Sequence, residues 1–172
     1  YILSAPSGGG KSSLARALVE RAQDTVTSVS HTTRPQRTGE THGVDYFFVD
    51  QSEFEQMIKD DGFLEYARVF DHWYGTSRKV VEQAIVQNRS IMLDIDWQGA
   101  QQVRRAFPAA VSVYILPPSV EALAQRLVDR GRDSPDEITS RLSEAASEMS
   151  HYDEYDHILI NINFDVALGE LE

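Results

Sequence analysis

Cysteine is absent from the 172 residues, so no disulfide and no thiolate metal site can form, which fits a reducing, cytoplasmic setting. Lysine is nearly as scarce: only Lys11, Lys59 and Lys79 stand among 16 basic residues, and the rest are arginine. Arginine carries the planar fork that grips phosphate at two points, so the basic side chains point to pockets rather than patches. Basic charge is itself in deficit, with 16 Lys and Arg against 27 acids and a net charge of -11. The molecule as a whole repels a polyanion, which disfavours nucleic acid and acidic membrane surfaces as partners. Long apolar runs are missing too, none approaching the roughly 20 residues that span a bilayer. A targeting segment ahead of Tyr1, which already lies in an apolar stretch, is left open. What remains is ordinary globular material, 41% hydrophobic and 25% charged, of a length that suits one domain with an insert.

Short apolar runs alternate with longer helical patterns, which predicts an α/β fold with a parallel sheet flanked by helices. The sheet candidates are Tyr1 to Ala5, Val26 to Ser30, Ile91 to Asp96, Val111 to Leu116 and His157 to Ile162. Ser134-Pro-Asp-Glu137 combines an N-cap, a proline at the first helical position and a capping-box acid, and predicts a helix to about Met149. Ser52 with Glu55 predicts a second such start, and another helix is expected near Asp165. Gly131 predicts a C-terminal stop for the helix that Pro117-Pro118-Ser119 separates from the preceding strand. Over residues 31–88 the alternation gives way to turns and short strand-like pieces such as Tyr46 to Val49 and Phe63 to Phe70. The expected organisation is a core of residues 1–30 and 89–172, a small mixed α/β insert over 31–88, and a short helical lid at about 126–141 containing a mobile flap, Gly131 to Ser134.

Ala5-Pro-Ser-Gly-Gly-Gly-Lys-Ser12 lies between a predicted strand and the helical pattern that Ser13 opens, the context of a P-loop. Consecutive glycines let backbone N–H groups turn inward around phosphates, and the following helix aims its positive end at them. Ser7, Gly8, Gly9, Gly10, Lys11, Ser12 and Ser13 are therefore expected at the phosphates, with Lys11 reaching the outer ones and Ser12 ligating magnesium. One departure is Ala5 where the general pattern has glycine; a strand-ending residue need not take the positive φ that would demand glycine. Ile91 to Asp96 is an apolar run ending in two acids, the form of the second magnesium motif of P-loop enzymes. Alternation puts Asp94 and Asp96 on one face, with Asp94 expected to order the metal's water shell and Asp96 to help hold the acceptor. Capping of the next helix is the competing reading for both acids.

Ser28 to Arg37, Asp45 to Phe48, Phe63 to Ala67 and Tyr74 to Ser77, together with Leu93 to Gly99 and Arg126 to Gly131, resemble the guanylate kinases of the nucleoside monophosphate kinase group, a likeness that covers essentially the whole chain. The resemblance implies magnesium-dependent transfer of the terminal phosphoryl group of ATP to GMP, the insert binding GMP and the Arg-bearing segment closing over ATP. On the acceptor side it implies Glu65 as the reader of guanine, with the hydroxyls of Ser30 and Thr76 on the rest of the base edge. Arg34 and Arg37, with the phenols of Tyr46 and Tyr74, are implied for the acceptor phosphate. Arg130 and Arg141 are implied to act with Lys11 on the transferring group, Arg126 beside the ATP, and Asn161 at the adenine border. Asn161-Ile-Asn163 departs from the family's usual Asn-Asp-Asp, replacing two acids.

His31, His42 and His72 are assigned to loops, His151 and His157 to helix and strand surroundings, and Trp73 and Trp97 to packing, none with ligand-like spacing. Two other functions fit parts of the pattern. A P-loop kinase acting on a sugar phosphate would leave Glu65 without the paired N–H edge it suits, and a non-catalytic phosphopeptide-binding module tends to lose the loop that Lys11 and Ser12 keep here. The oligomeric state is not legible.

Overall fold

The computed structural model describes residues 1–22, 24–69, 71–129, 131 and 134–172. In chain order the elements are β1 (Ile2–Ser4), α1 (Lys11–Arg21), β2 (Thr25–Thr27), β3 (His31–Thr32), β4 (Phe47–Phe48), α2 (Gln51–Lys59), β5 (Phe63–Val69), β6 (His72–Ser77) and α3 (Arg78–Val86). There follow β7 (Ser90–Asp94), α4 (Trp97–Ala106), β8 (Ser112–Leu116), α5 (Val120–Asp129), α6 (Pro135–Met149), a short 3-10 turn at Tyr152–Glu154, β9 (His157–Ile160) and α7 (Phe164–Leu171). The fold is α/β, as the alternation predicts. Two compact units emerge, one formed by Tyr1–Gln23, Asp94–Trp97 and Val111–Glu172, the other by Asp24–Leu93 and Gln98–Ala110.

In the first unit β1, β8 and β9 run parallel in that order, Ile2 opposite Ser112 and Val113 opposite His157. Ile2, Leu3, Tyr114 and Ile115 are buried, as strands covered by helices should be, and α1 seats Leu14, Ala15 and Leu18 beneath them. The Ser134 capping box forms: the Ser134 side chain accepts from the Glu137 N–H and the Glu137 carboxylate accepts from the Ser134 N–H at 2.7 Å. Gly131 takes φ 61°, the left-handed stop expected of it. The neighbouring Arg130, Arg132 and Asp133 lie outside the described residues.

In the second unit β2 and β7 pair in parallel, and a four-stranded sheet runs in the order β4-β3-β6-β5. Paired residues share a face, so Phe48, Thr32, Tyr74, Thr76, Ala67 and Glu65 line one side of that sheet. The other side is apolar: Phe54 of α2 stacks on Phe63 and Trp73 with ring centroids 4.4 and 6.0 Å apart. His31 joins it, stacked on Phe47 at 4.8 Å. At the outer edge of β5 the Gln102 carboxamide accepts from the Tyr66 N–H and donates to the Tyr66 carbonyl, 3.2 and 2.8 Å away.

Three local expectations change. The α2 cap is Asp50, not Ser52: the Asp50 carboxylate accepts from the Glu53 N–H at 2.8 Å, so the helix is under way before Ser52. His31 lies in β3 and His72 opens β6: the loop that follows β3 begins only at Thr33, and the left-handed residue between β5 and β6 is Asp71, with φ 66°.

Candidate functional site

The first unit holds the glycine loop. Gly8 and Gly10 have φ of 92° and 98°, backbone that a side chain rarely adopts, and a Cβ on Gly10 would lie 2.5 Å from Asn161 Nδ2. Ala5 has no positive φ, so the departure from glycine at that position is accommodated without strain. The loop is closed by the Gly9 N–H donating to the Pro6 carbonyl at 2.8 Å, and Asn161 Nδ2 donates to the Gly9 carbonyl at 2.9 Å. Lys11 begins α1, and its ammonium lies 2.8 Å from Asp94 Oδ1 while donating to the Ile95 carbonyl at 3.0 Å. Ser12 and Ser13 are exposed in the first turn, where the helix's unpaired N–H groups favour an anion.

Two helices contribute to the loop from a distance in sequence. Arg126 of α5 donates to the Asn161 carbonyl at 2.7 Å, and its Nη1 is buried with no partner among the described residues. From α6, Arg141 Nη1 donates to Ser7 Oγ at 2.8 Å, and Glu148 Oε2 accepts from the Ser7 N–H at 3.1 Å. Burial pushes the Glu148 carboxyl up, with the charges of Asp96 and Glu144 adding to the rise; Ser7 and Lys11 oppose it. The residue was not singled out from sequence, since nothing in the helical pattern distinguishes it from the other acids of α6.

The second unit holds the acid singled out for a base. Glu65 is 3% exposed and Thr76, its cross-strand partner, is fully buried. Thr76 Oγ1 has no hydrogen-bond partner among the described residues. Phe63 pairs with Ser77 and Glu65 with Thr76, so β5 spends two steps where β6 spends one. This bulge turns Glu65 away from the aromatic face that Phe63 serves and onto the opposite one. On that face Arg34, 8% exposed, is held by Glu40 through Nη1 to Oε2 at 3.0 Å and Nη2 to Oε1 at 2.7 Å. Its guanidinium lies 5.4 Å from the Tyr46 ring centroid and 5.7 Å from that of Phe48.

Burial works against the Arg34 charge and is outweighed by Glu40 and by the Tyr74 hydroxyl, so the guanidinium is held protonated more firmly than usual. Burial likewise works to raise the Glu40 carboxyl, but hydrogen bonds from Arg34 and the Arg37 backbone, with both positive charges, hold it below the ordinary carboxylate range. Tyr46 and Tyr74 meet edge to face at 5.9 Å. The structure thus brings Arg34, Tyr46 and Tyr74 together, while Arg37 is exposed and meets Glu40 through its N–H at 2.8 Å. Ser30 accepts from the Phe47 N–H through its carbonyl at 2.9 Å. Asp96 lies two residues past β7, where its charge acts on Glu148.

The chain as a whole resembles known proteins. The guanylate kinase family model matches residues 1–172. A guanylate kinase of Methylococcus capsulatus is 57% identical over 171 residues, covering 99% of this chain and 84% of that protein. One from Chromohalobacter salexigens is 56% identical over 171 residues, 99% of this chain and 80% of its own length. The crystal structure of guanylate kinase from Anaplasma phagocytophilum superposes with a TM-score of 0.83 at 36% identity, over 99% of this chain and 80% of that one. Matched from its first residue to its last, and carrying both the glycine loop and the Glu65 face, the chain belongs to the guanylate kinase family.

Proposed function

We propose that this chain is an ATP:GMP phosphotransferase, moving the γ-phosphoryl group of ATP to GMP and releasing ADP and GDP. The observation that carries the acceptor's identity is Glu65, a buried carboxylate on a sheet face beside the unpartnered hydroxyl of Thr76. Guanine offers two N–H donors, at N1 and the exocyclic amine, and an acceptor at O6. One carboxylate accepts from both donors at once, and a small hydroxyl donates to O6, so the pair matches that edge where adenine presents the reverse pattern. Ser30 is assigned to the same edge, and Arg34, Arg37, Tyr46 and Tyr74 to the acceptor phosphate.

The donor is assigned to the loop from Ser7 to Ser13. Inward N–H groups and Lys11 cradle the phosphates, Arg126 stands beside the ATP, Asn161 borders the adenine, and Asp96 serves the acceptor side. Arg141, already at Ser7, takes the transferring group as charge moves from donor to acceptor. Arg130 is assigned beside it and lies outside the described residues. Phosphoryl transfer asks the protein for position and charge rather than covalent chemistry, and closure of the segment at about 126–141 would exclude competing water.

Magnesium is assigned to the Ser12 hydroxyl and the Asp94 carboxylate. Both are hard oxygen donors, and no group of three or more His, Cys, Asp or Glu able to hold a metal exists among the described residues. A cation that keeps its waters and phosphate ligands suits so small a protein contribution. When bound, it neutralises charge on the phosphate oxygens. A cytoplasmic setting is part of the same proposal, supported by the lack of cysteine.

The test is ADP release from ATP offered with GMP, AMP, UMP and ribose phosphates in turn. Release with GMP far above the others is expected; equal release with a ribose phosphate overturns the assignment in favour of a sugar-phosphate kinase, and no release at all with tight phosphopeptide binding favours a non-catalytic module.

A further inference from the structure

We propose that Glu148 is a positioning residue for the phosphoryl transfer, holding Ser7 by its backbone N–H so that the Ser7 hydroxyl can donate to the transferring group. The inference rests on the assignment of the glycine loop to ATP. Ser7 is gripped twice by α6: Glu148 Oε2 takes its N–H at 3.1 Å and Arg141 Nη1 donates to its hydroxyl at 2.8 Å. Positions 141 and 148 are seven apart, two turns, and so share one face of the helix. A hydroxyl that accepts from Arg141 still owns one proton, and no hydrogen bond among the described residues uses it.

The helix is fixed at the same residue from the other side. Tyr114 of β8, 2% exposed, donates its hydroxyl to the Glu148 carbonyl at 2.9 Å. Glu148 therefore has its backbone tied to a buried strand while its side chain reaches the loop, so the carboxylate starts from a fixed origin. Its placement carries an electrostatic cost, because a carboxylate near Asp96 and Glu144 also stands close to the place of an anionic triphosphate. A group kept there despite its charge is explained if the acceptor oxygen, not the charge, is what the loop needs. Preorganising one hydroxyl against a migrating phosphoryl group is the kind of placement for which small displacements are costly.

Three variants separate the oxygen from the charge, each assayed for ADP formation from ATP and GMP. Glu148→Gln keeps an acceptor at the same reach without the charge, and Glu148→Asp keeps the charge but withdraws the oxygen by one methylene. The expected order is Gln within about threefold of the parent kcat, and Asp and Ala lowered by about tenfold to a hundredfold, with the KM for GMP unchanged. A Ser7→Ala change added to Glu148→Asp should cost little more, since both act through one hydroxyl. The reverse order, Asp active and Gln crippled, overturns the proposal, as does a full multiplication of the two losses or an unchanged kcat in Glu148→Asp. Lys11→Ala serves as the separate control: if it turns over normally, the ATP assignment itself fails, whatever Glu148 does.

Discussion

Arg34 and Glu40 meet fork to fork, Nη2 2.7 Å from Oε1 and Nη1 3.0 Å from Oε2, with side chains only 9% and 15% exposed. A pair so enclosed is costly to halve, because the survivor is left charged with nothing facing it. Glu40→Ala should therefore destabilise the protein by about 3 kcal/mol and raise the KM for GMP, Arg34 no longer being held against Tyr46. The acid limb of stability follows from the same pair. Glu40 has a folded-state pKa below its unfolded value, so its contribution is complete above the unfolded value of about 4.3 and fades as pH falls through the lowered one. Urea unfolding between about pH 3 and pH 6 checks it: the parent should lose more stability over that range than Glu40→Gln does.

Lys11→Ala removes the ammonium tied to Asp94 and to the Ile95 carbonyl. A point charge that follows the phosphates through the transition state is worth about 10²–10³ in kcat, by comparison with other donors aimed at developing charge. GMP binding by calorimetry should stay within about twofold, since Glu65, Thr76, Arg34, Tyr46 and Tyr74, to which the base and acceptor phosphate are assigned, belong to the other unit.

Glu65→Gln exchanges one of two acceptor oxygens for an amide that faces a guanine N–H with another N–H. The expected loss is about 10²-fold or more in kcat/KM for GMP, with the ATP KM little changed. Discrimination between GMP and AMP that survives the substitution would remove Glu65 from the base.

Gly10→Ala asks alanine to adopt φ 98° and sets a Cβ 2.5 Å from Asn161 Nδ2. The backbone conformation costs about 1–3 kcal/mol, and Asn161 must leave the Gly9 carbonyl. A lowered melting temperature and a raised KM for ATP, with GMP affinity intact, are the outcome to look for.

The glycine loop was legible because its geometry is local: adjacent glycines, a lysine and two serines carry their meaning in a single run between a strand and a helix. Ser134 and Glu137 were legible for the same reason, since a capping box lies within four residues. Glu148 was not, because 141 positions separate it from Ser7 and only the packing of α6 brings them together. Glu40 lies six residues from Arg34, yet its partner is chosen by the turn at Pro35 and Gly39, the latter with φ 86°, rather than by any helical or strand period. Glu65 is the instructive case. Strict alternation from Phe63 would have set it among the aromatics, and one irregular step in β5, invisible in the residue pattern, turns it to the face that carries Thr76 and Tyr74.

β5 ends its sheet, and a seven-residue margin with open peptides is a template on which a stray chain can zip. Tyr66 stands at its midpoint, and a carboxamide borrowed from α4 answers both of its peptide groups as another peptide would. An intruding strand must first evict Gln102, and the stretches left on either side are too brief to hold one; with the exposed charge of Arg68 two residues on, the strand that carries Glu65 is kept from pairing further without a proline.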